Sequence, residues 1–279
     1  ENGQGNNSHM SIAAGATVTT TRLVTGDGGS VTSNINQTGG TLNITGTNNA
    51  NNTGSSFLMG HWGGGTSTYN LSGGVLNSTA AMLSLGWDTV GANFNVSGGT
   101  ANLLGINLAN SRNNAASVNL TGGRINLGAS GITNNTNKAV NLGGGTVGAF
   151  ASWTSAKNMT LTGTGGNTTF NTLDSADLTT PRTITLSGVL SNTGGAGFTK
   201  SGAGVLSLTN AAGTFSGTAT VNGGTLQLSS GALASGTVQV DAGGTVQPGT
   251  VSTPGAGTVA SLNMNGGDAA FRVGGSPEI

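Results

Sequence analysis

Residues 70–77 read NLSGGVLN, and the chain is built on near-copies of that octet. It recurs as NQTGGTLN at 36–43, NVSGGTAN at 95–102 and NLTGGRIN at 119–126. Looser copies are NLGGGTVG at 141–148, TVNGGTLQ at 220–227, VDAGGTVQ at 240–247 and NMNGGDAA at 263–270. The starts lie 34, 25, 24, 22, 79, 20 and 23 residues apart. An interval that keeps returning to 20–25 residues is the mark of a solenoid, in which each repeat buries its apolar face only against its neighbours.

Each copy has one grammar. An apolar–Asn–apolar triplet (Tyr69-Asn70-Leu71, Phe94-Asn95-Val96, Val118-Asn119-Leu120) leads into Ser or Thr and then Gly-Gly. A second alternating triplet usually follows, as in Leu42-Asn43-Ile44 and Ile125-Asn126-Leu127. Period-two alternation sends the apolar side chains to one face of a strand and Asn to the other. Gly-Gly supplies the corner between two strands. The expected fold is all-β, a parallel β-helix of about twelve coils of 20–25 residues. At roughly 4.8 Å per coil that is a rod on the order of 55–60 Å long.

Composition excludes several alternatives. Glycine is 53 of 279 residues, and only 6% are charged, with eight basic and eight acidic side chains. Low charge and high Gly can mean disorder, but here Val, Leu and Ile alternate strictly, which predicts a thin ordered core. Zero net charge without basic clusters argues against a nucleic-acid partner. No apolar run approaches eighteen residues, so no membrane-spanning helix is expected. Cysteine is absent, so the hydrogen-bond ladder must do the stapling. The chain opens with Glu1 and no signal peptide is visible, which reads as a processed or trimmed product.

Along the chain, residues 1–10 read as a flexible N-terminal arm and 11–279 as a single β-solenoid. The low-complexity run 47–56, TNNANNTGSS, reads as a loop bulging from the rod. From Phe57 each coil reads as three strands. One strand precedes a Gly (57–59, 82–85, 101–104), and the other two flank Gly-Gly. The bends at 61–67, 87–92, 106–115 and 130–138 vary most. The 79-residue interval holds three to four coils, and DSADLTTP at 174–181 is a loop.

Residues 197–231 read GFTKSGAGVLSLTNAAGTFSGTATVNGGTLQLSSG. This stretch resembles the autotransporter-associated β-strand repeat, a passenger-type repeat. The matching features are Lys200-Ser201-Gly202-Ala203-Gly204, Leu206, Leu208, Phe215-Ser216-Gly217, Thr220-Val221 and Gly224-Thr225-Leu226. Phe215 stands where Tyr is common. The resemblance covers about an eighth of the chain. It implies a right-handed parallel β-helix in a large exported protein at a bacterial cell surface or outside the cell, and it brings no catalytic residues. The anchoring β-barrel of autotransporters is not seen in this sequence.

Candidate sites follow from what the repeats leave over. His61-Trp62 and Trp87-Asp88 come after Gly60 and Gly86, which are equivalent positions on adjacent coils. Two indoles on one edge fit a sugar ring or a partner subunit, or they cover the core. Asn36, Asn70, Asn95, Asn119 and Asn141 should stack coil on coil, as should Asn43, Asn77, Asn102 and Asn126, in structural amide ladders. Gly39, Gly40, Gly73, Gly74, Gly98, Gly99, Gly122 and Gly123 are the corners. Asn43, Asn70, Asn95, Asn119 and Asn158 also fit the Asn-x-Ser/Thr pattern, which the alternation generates by itself.

Catalysis has little to stand on. Of the eight acids only Asp174 and Asp177 are close in sequence, inside a Pro-containing loop. A lyase or hydrolase needs clustered or paired carboxylates. His9 and His61 are far apart and show no metal-ligand spacing. No metal and no cofactor are expected. The expectation is a non-enzymatic extracellular solenoid: a rigid stalk, an adhesin segment or a self-assembling fibre subunit, stacking end to end with itself. A glycan-binding module is the alternative, and a polysaccharide lyase or hydrolase a more distant one.

Overall fold

The structure is a computed structural model. It describes residues 7–27, 32–48, 56–62, 65–86, 91–108, 115–133, 138–210, 212–229, 232–249 and 259–269, with Asp27 and Trp62 by backbone alone. Every element among these residues is a strand, and none is a helix. Consecutive coils pair in parallel, so the chain is a β-solenoid with the strands of each face stacked one coil above the next.

The longest ladder follows the Gly-Gly corners as far as Thr146–Ala149, and from Thr218–Val221 onward its strands precede them. It runs from Thr17–Thr20 through 41–44, 75–78, 100–103 and 124–127 to Thr146–Ala149 and Thr168–Asp174. It continues through Phe198–Ser201, Thr218–Val221 and 237–241 to Val259–Asn265, eleven strands all parallel. That is slightly fewer than the about twelve coils expected.

A second face precedes the corners. It comprises Ser8–Ile12, 33–37, 66–71, Gly91–Val96, Ala116–Leu120, Ala139–Leu142, Met159–Leu161 and Leu190–Asn192. The third face begins with Leu23–Asp27, Phe57–Trp62, Leu83–Leu85, 106–108 and 131–133. It resumes as a separate sheet of six strands from Trp153–Ser155 to Asp268–Ala269.

The coils change shape after Asn192. The second face has no strand beyond that point among the described residues, and each later coil carries two strands, such as Phe198–Ser201 with Val205–Leu208. The open side is closed by loop, with Phe215 turned fully inward and its ring centroid 5.3 Å from that of Phe198.

Alternation fills the core. On the corner ladder Leu42, Leu76, Ala101, Ile125, Val147 and Phe170 lie one above another and are buried. Tyr69 meets Phe57 and Phe94 edge-on, with centroids 6.2 and 5.7 Å apart. Its hydroxyl donates to Gln37 Oε1, and Gln37 Nε2 donates to Val75 O at 3.0 Å, so this buried polar pair is satisfied.

Three sequence expectations need correction. Ser8, His9 and Met10, placed in the arm, lie in the first strand and pair with residues 33–35. Residues 101–104 do not form the strand equivalent to Leu83–Leu85. Ala101 pairs with Leu76 on the corner ladder, while Ile106–Leu108 takes the third-face position. Ile106 and Ile132, assigned to variable bends, are therefore buried strand residues. The loop run 47–56 lies largely outside the described residues.

Candidate functional site

The edge carrying the Trp pair is set by backbone register. Met59 pairs with Leu85, and Gly86 N donates to Met59 O at 2.7 Å. Gly60 and Gly86 thus sit one coil apart at the same point of the turn. His61 is half-buried, and the Trp62 backbone aligns with Asp27 one coil below. The Trp62 side chain, Trp87 and Asp88 lie outside what the structure describes.

The asparagines lie in two columns. Asn70, Asn95, Asn119 and Asn141 each donate from Nδ2 to the Oδ1 of the Asn one coil below, ending on Asn36, at 2.8–2.9 Å. Asn77, Asn102 and Asn126 do the same above Asn43 at 2.8–2.9 Å. The pitch of a parallel ladder matches the reach of one amide to the next, so each internal Asn uses a donor and an acceptor. At Asn70, Asn95 and Asn119 of the Asn-x-Ser/Thr positions, Nδ2 is spent within a column, and at Asn43 it is directed at Thr19 Oγ1, 3.4 Å away. The second column stops at Gly148, which pairs with Asn126. Asn126, 2% exposed, is left with a buried Oδ1 that has no hydrogen-bond partner.

The corner glycines stack as tightly as the asparagines. Gly99, at φ +66, lies where an added Cβ would be 2.6 Å from Gly74 O and 2.8 Å from Gly73 C. Gly40, Gly74 and Gly123 share the positive φ of their column. Gly39, Gly73, Gly98 and Gly122 face the preceding coil's backbone with no more room.

Three carboxylates are used by the fold. Asp174 accepts from Arg182 Nε at 2.9 Å, from Arg182 Nη2, and from Ala176 N at 2.8 Å. Asp177 accepts from Thr180 Oγ1 and from the backbone N–H groups of Thr180 and Thr179. Those bonds, the Thr180 hydroxyl first, hold its carboxyl well below the usual carboxylate range. Both groups are committed to their own loop rather than facing a shared substrate position. Asp241 accepts from Gln239 and Asn265, each at 3.0 Å. Among the described residues no cluster of three or more His, Cys, Asp or Glu could hold a metal ion.

The least expected residue is Lys200. It occupies the inward column between Phe170 and Val221 and is fully buried. Its ammonium donates to Gly202 O and Gly223 O at 2.8 Å and to Ser201 O at 3.1 Å, joining its own coil to the next. Thr172, one coil below, donates to two of the same carbonyls, those of Ser201 and Gly202. Burial pulls the ammonium's pKa down to about 7. The signal was present in the sequence: the alternation Phe198-Thr199-Lys200 puts Lys200 in phase with Phe198, facing the core. Lys138 and Lys157 are also buried and lowered by burial, Lys157 further by the charge of Lys138.

No curated protein and no solved structure matches the chain. Residues 198–228, the segment that carries the Lys200 clamp and the first two-stranded coils, match the family model described as passenger-associated-transport-repeat.

Proposed function

We propose that the chain is a rigid, non-catalytic rod segment of an exported bacterial surface protein, serving as a stalk or adhesin segment. The observation that carries this is the eleven-strand parallel ladder, with two amide columns bracing the coils up to Asn141. Hydrogen bonds that run along the axis at every coil resist bending, and the sparse charge leaves little self-repulsion. The passenger-type repeat at 198–228 supports the exported setting. Electron microscopy of the full chain should show straight particles about 50 Å long, eleven strands at about 4.8 Å. Flexible or beaded particles would refute the rod. Release of unsaturated or reducing sugars from pectin or alginate, with or without calcium, would refute the non-catalytic part.

Two further roles have specific support. A parallel ladder gains a coil by backbone hydrogen bonds at a strand edge, as Val259–Asn265 adds to 237–241. End-to-end stacking of a second copy is the partner this edge favours, and particles that stay discrete monomers at high concentration refute it. The stacked positions of Gly60 and Gly86 favour a glycan-binding edge. Its test is retention on a glycan array after replacing Trp62 and Trp87 with Ala, where unchanged retention rules that edge out.

A further inference from the structure

Every described residue with positive φ is a glycine except one, Leu178, at φ +56. A chain that places Gly at each other such position has put a branched side chain where the backbone is strained. The same side chain is 62% exposed, more than any other large apolar group described. Two unfavourable features meet at one residue that buries little of itself within the chain.

The loop that presents it is firmly built. Leu178 N donates to Asp174 O at 2.9 Å, and Asp174 N to Thr180 O at 2.8 Å. Arg182, the loop's one cation, is held by Asp174. Asp177, beside Leu178, is exposed and stays ionised because the Thr179 and Thr180 donors favour the carboxylate. The tip therefore offers one apolar group and one anion, in fixed positions.

We propose that Leu178 is an anchor by which this loop docks onto a protein whose surface has an apolar pocket beside a basic group. A leucine gains by entering such a pocket, and the basic group answers Asp177. A membrane fits poorly, because Asp177 would be carried toward anionic headgroups. A sugar fits poorly as well, since Leu supplies neither a ring face nor a hydrogen bond.

The test places a photoreactive benzophenone side chain at 178, or at exposed Thr164 as control, in the full chain on intact producing cells. It rests on the surface reading above, and biotin labelling of the same cells reports surface display separately. The expected result is a discrete protein adduct from position 178, absent from 164, with a yield reduced about tenfold by Asp177→Lys. No adduct at 178, equal adducts at both positions, or an adduct to lipid or to a second copy overturns the proposal. Leu178→Gly provides an independent readout. It should leave Tm unchanged or raise it by about 1–2 °C, by relieving the backbone. A fall of more than about 3 °C would make Leu178 a packing residue and overturn the proposal too.

Discussion

Gly99→Ala tests why the corner needs Gly-Gly. Two terms add at this position. The first is backbone: alanine at φ +66 costs about 1–2 kcal/mol in the left-handed region. The second is the next coil: the methyl would sit 2.6 Å from Gly74 O and 2.8 Å from Gly73 C, both backbone atoms that cannot rotate away. Overpacking of that kind costs about 1–3 kcal/mol, for a total of about 2–5 kcal/mol. Gly194→Ala is the matched control, because Gly194 has φ +60 but nothing within 4 Å of its added Cβ. It should lose only the first term. Urea unfolding followed by circular dichroism gives both values, and hydrogen exchange at 70–77 and 95–102 reports whether the loss is local, as expected where each coil contacts only its neighbours. Equal costs at Gly99 and Gly194, within about 0.5 kcal/mol, would refute the argument that close approach of coils dictates the corner.

Lys200 makes stability pH-dependent. Its folded pKa of about 7 lies below the ordinary value of about 10.4, so between the two the unfolded chain holds a proton that the folded chain does not. Stability should rise from pH 7 to 10 with a slope of up to about 1.4 kcal/mol per pH unit, and level off below 7. Lys200→Met should flatten that slope in pH-dependent urea titrations, leaving the smaller part due to Lys138 and Lys157; an unchanged slope would exonerate Lys200. Asn95→Ala removes the donor to Asn70 and the acceptor for Asn119, and should cost about 1–3 kcal/mol in the same unfolding assay; a loss under about 0.5 kcal/mol would mean the column is idle. Gly148→Asn should extend the second column by giving the orphaned Asn126 Oδ1 a donor. The colliding atom is that side-chain oxygen, which can swing back to the stacked pose of Asn102 on Asn77. Stability should rise by about 0.5–1.5 kcal/mol, and a loss would show that the glycine is needed for space.

Parallel stacking was legible because two independent signals agree. Alternation sets which side chains turn inward, and the Gly-Gly interval sets which residues lie above one another. The error at 101–104 shows where local reading breaks down. Leu104-Gly105 looks like Leu85-Gly86 and Met59-Gly60, and an apolar residue before Gly does not say which face it belongs to. Distance from the corner does say: Ala101 stands two residues after Gly99, as Leu76 stands two after Gly74, and those are the residues that pair. The strain at Leu178 left no comparable trace, because φ at a loop tip depends on tertiary bonds such as those of Asp174 and Thr180. The register of the Trp edge follows a different signal, the matching Met59-Gly60 and Leu85-Gly86 pairs, since Gly60 stands 20 residues after Gly40 and Gly86 only 12 after Gly74.

The two kinds of coil also solve the cohesion problem differently. Up to Asn141 the coils are tied outside the core, amide to amide, and this needs strands on the faces where the columns run. Apart from the 34-residue first interval, octets start 22–25 residues apart there, and 20–23 among the last three. The shorter coils keep two strands each. The first Asn column ends before that face does: Thr160 stands above Asn141 and meets the Ser191 hydroxyl on the last two second-face strands. Lys200 then joins coils from within, by an ammonium bonded to carbonyls of its own turn and of Gly223. A buried ammonium is a costly brace, as its lowered pKa shows, and three donors meeting three carbonyls offset only part of that cost. A lysine in phase with core residues beside a Gly-rich turn therefore marks, in this chain, a coil held from within, two second-face strands past the end of the amide columns.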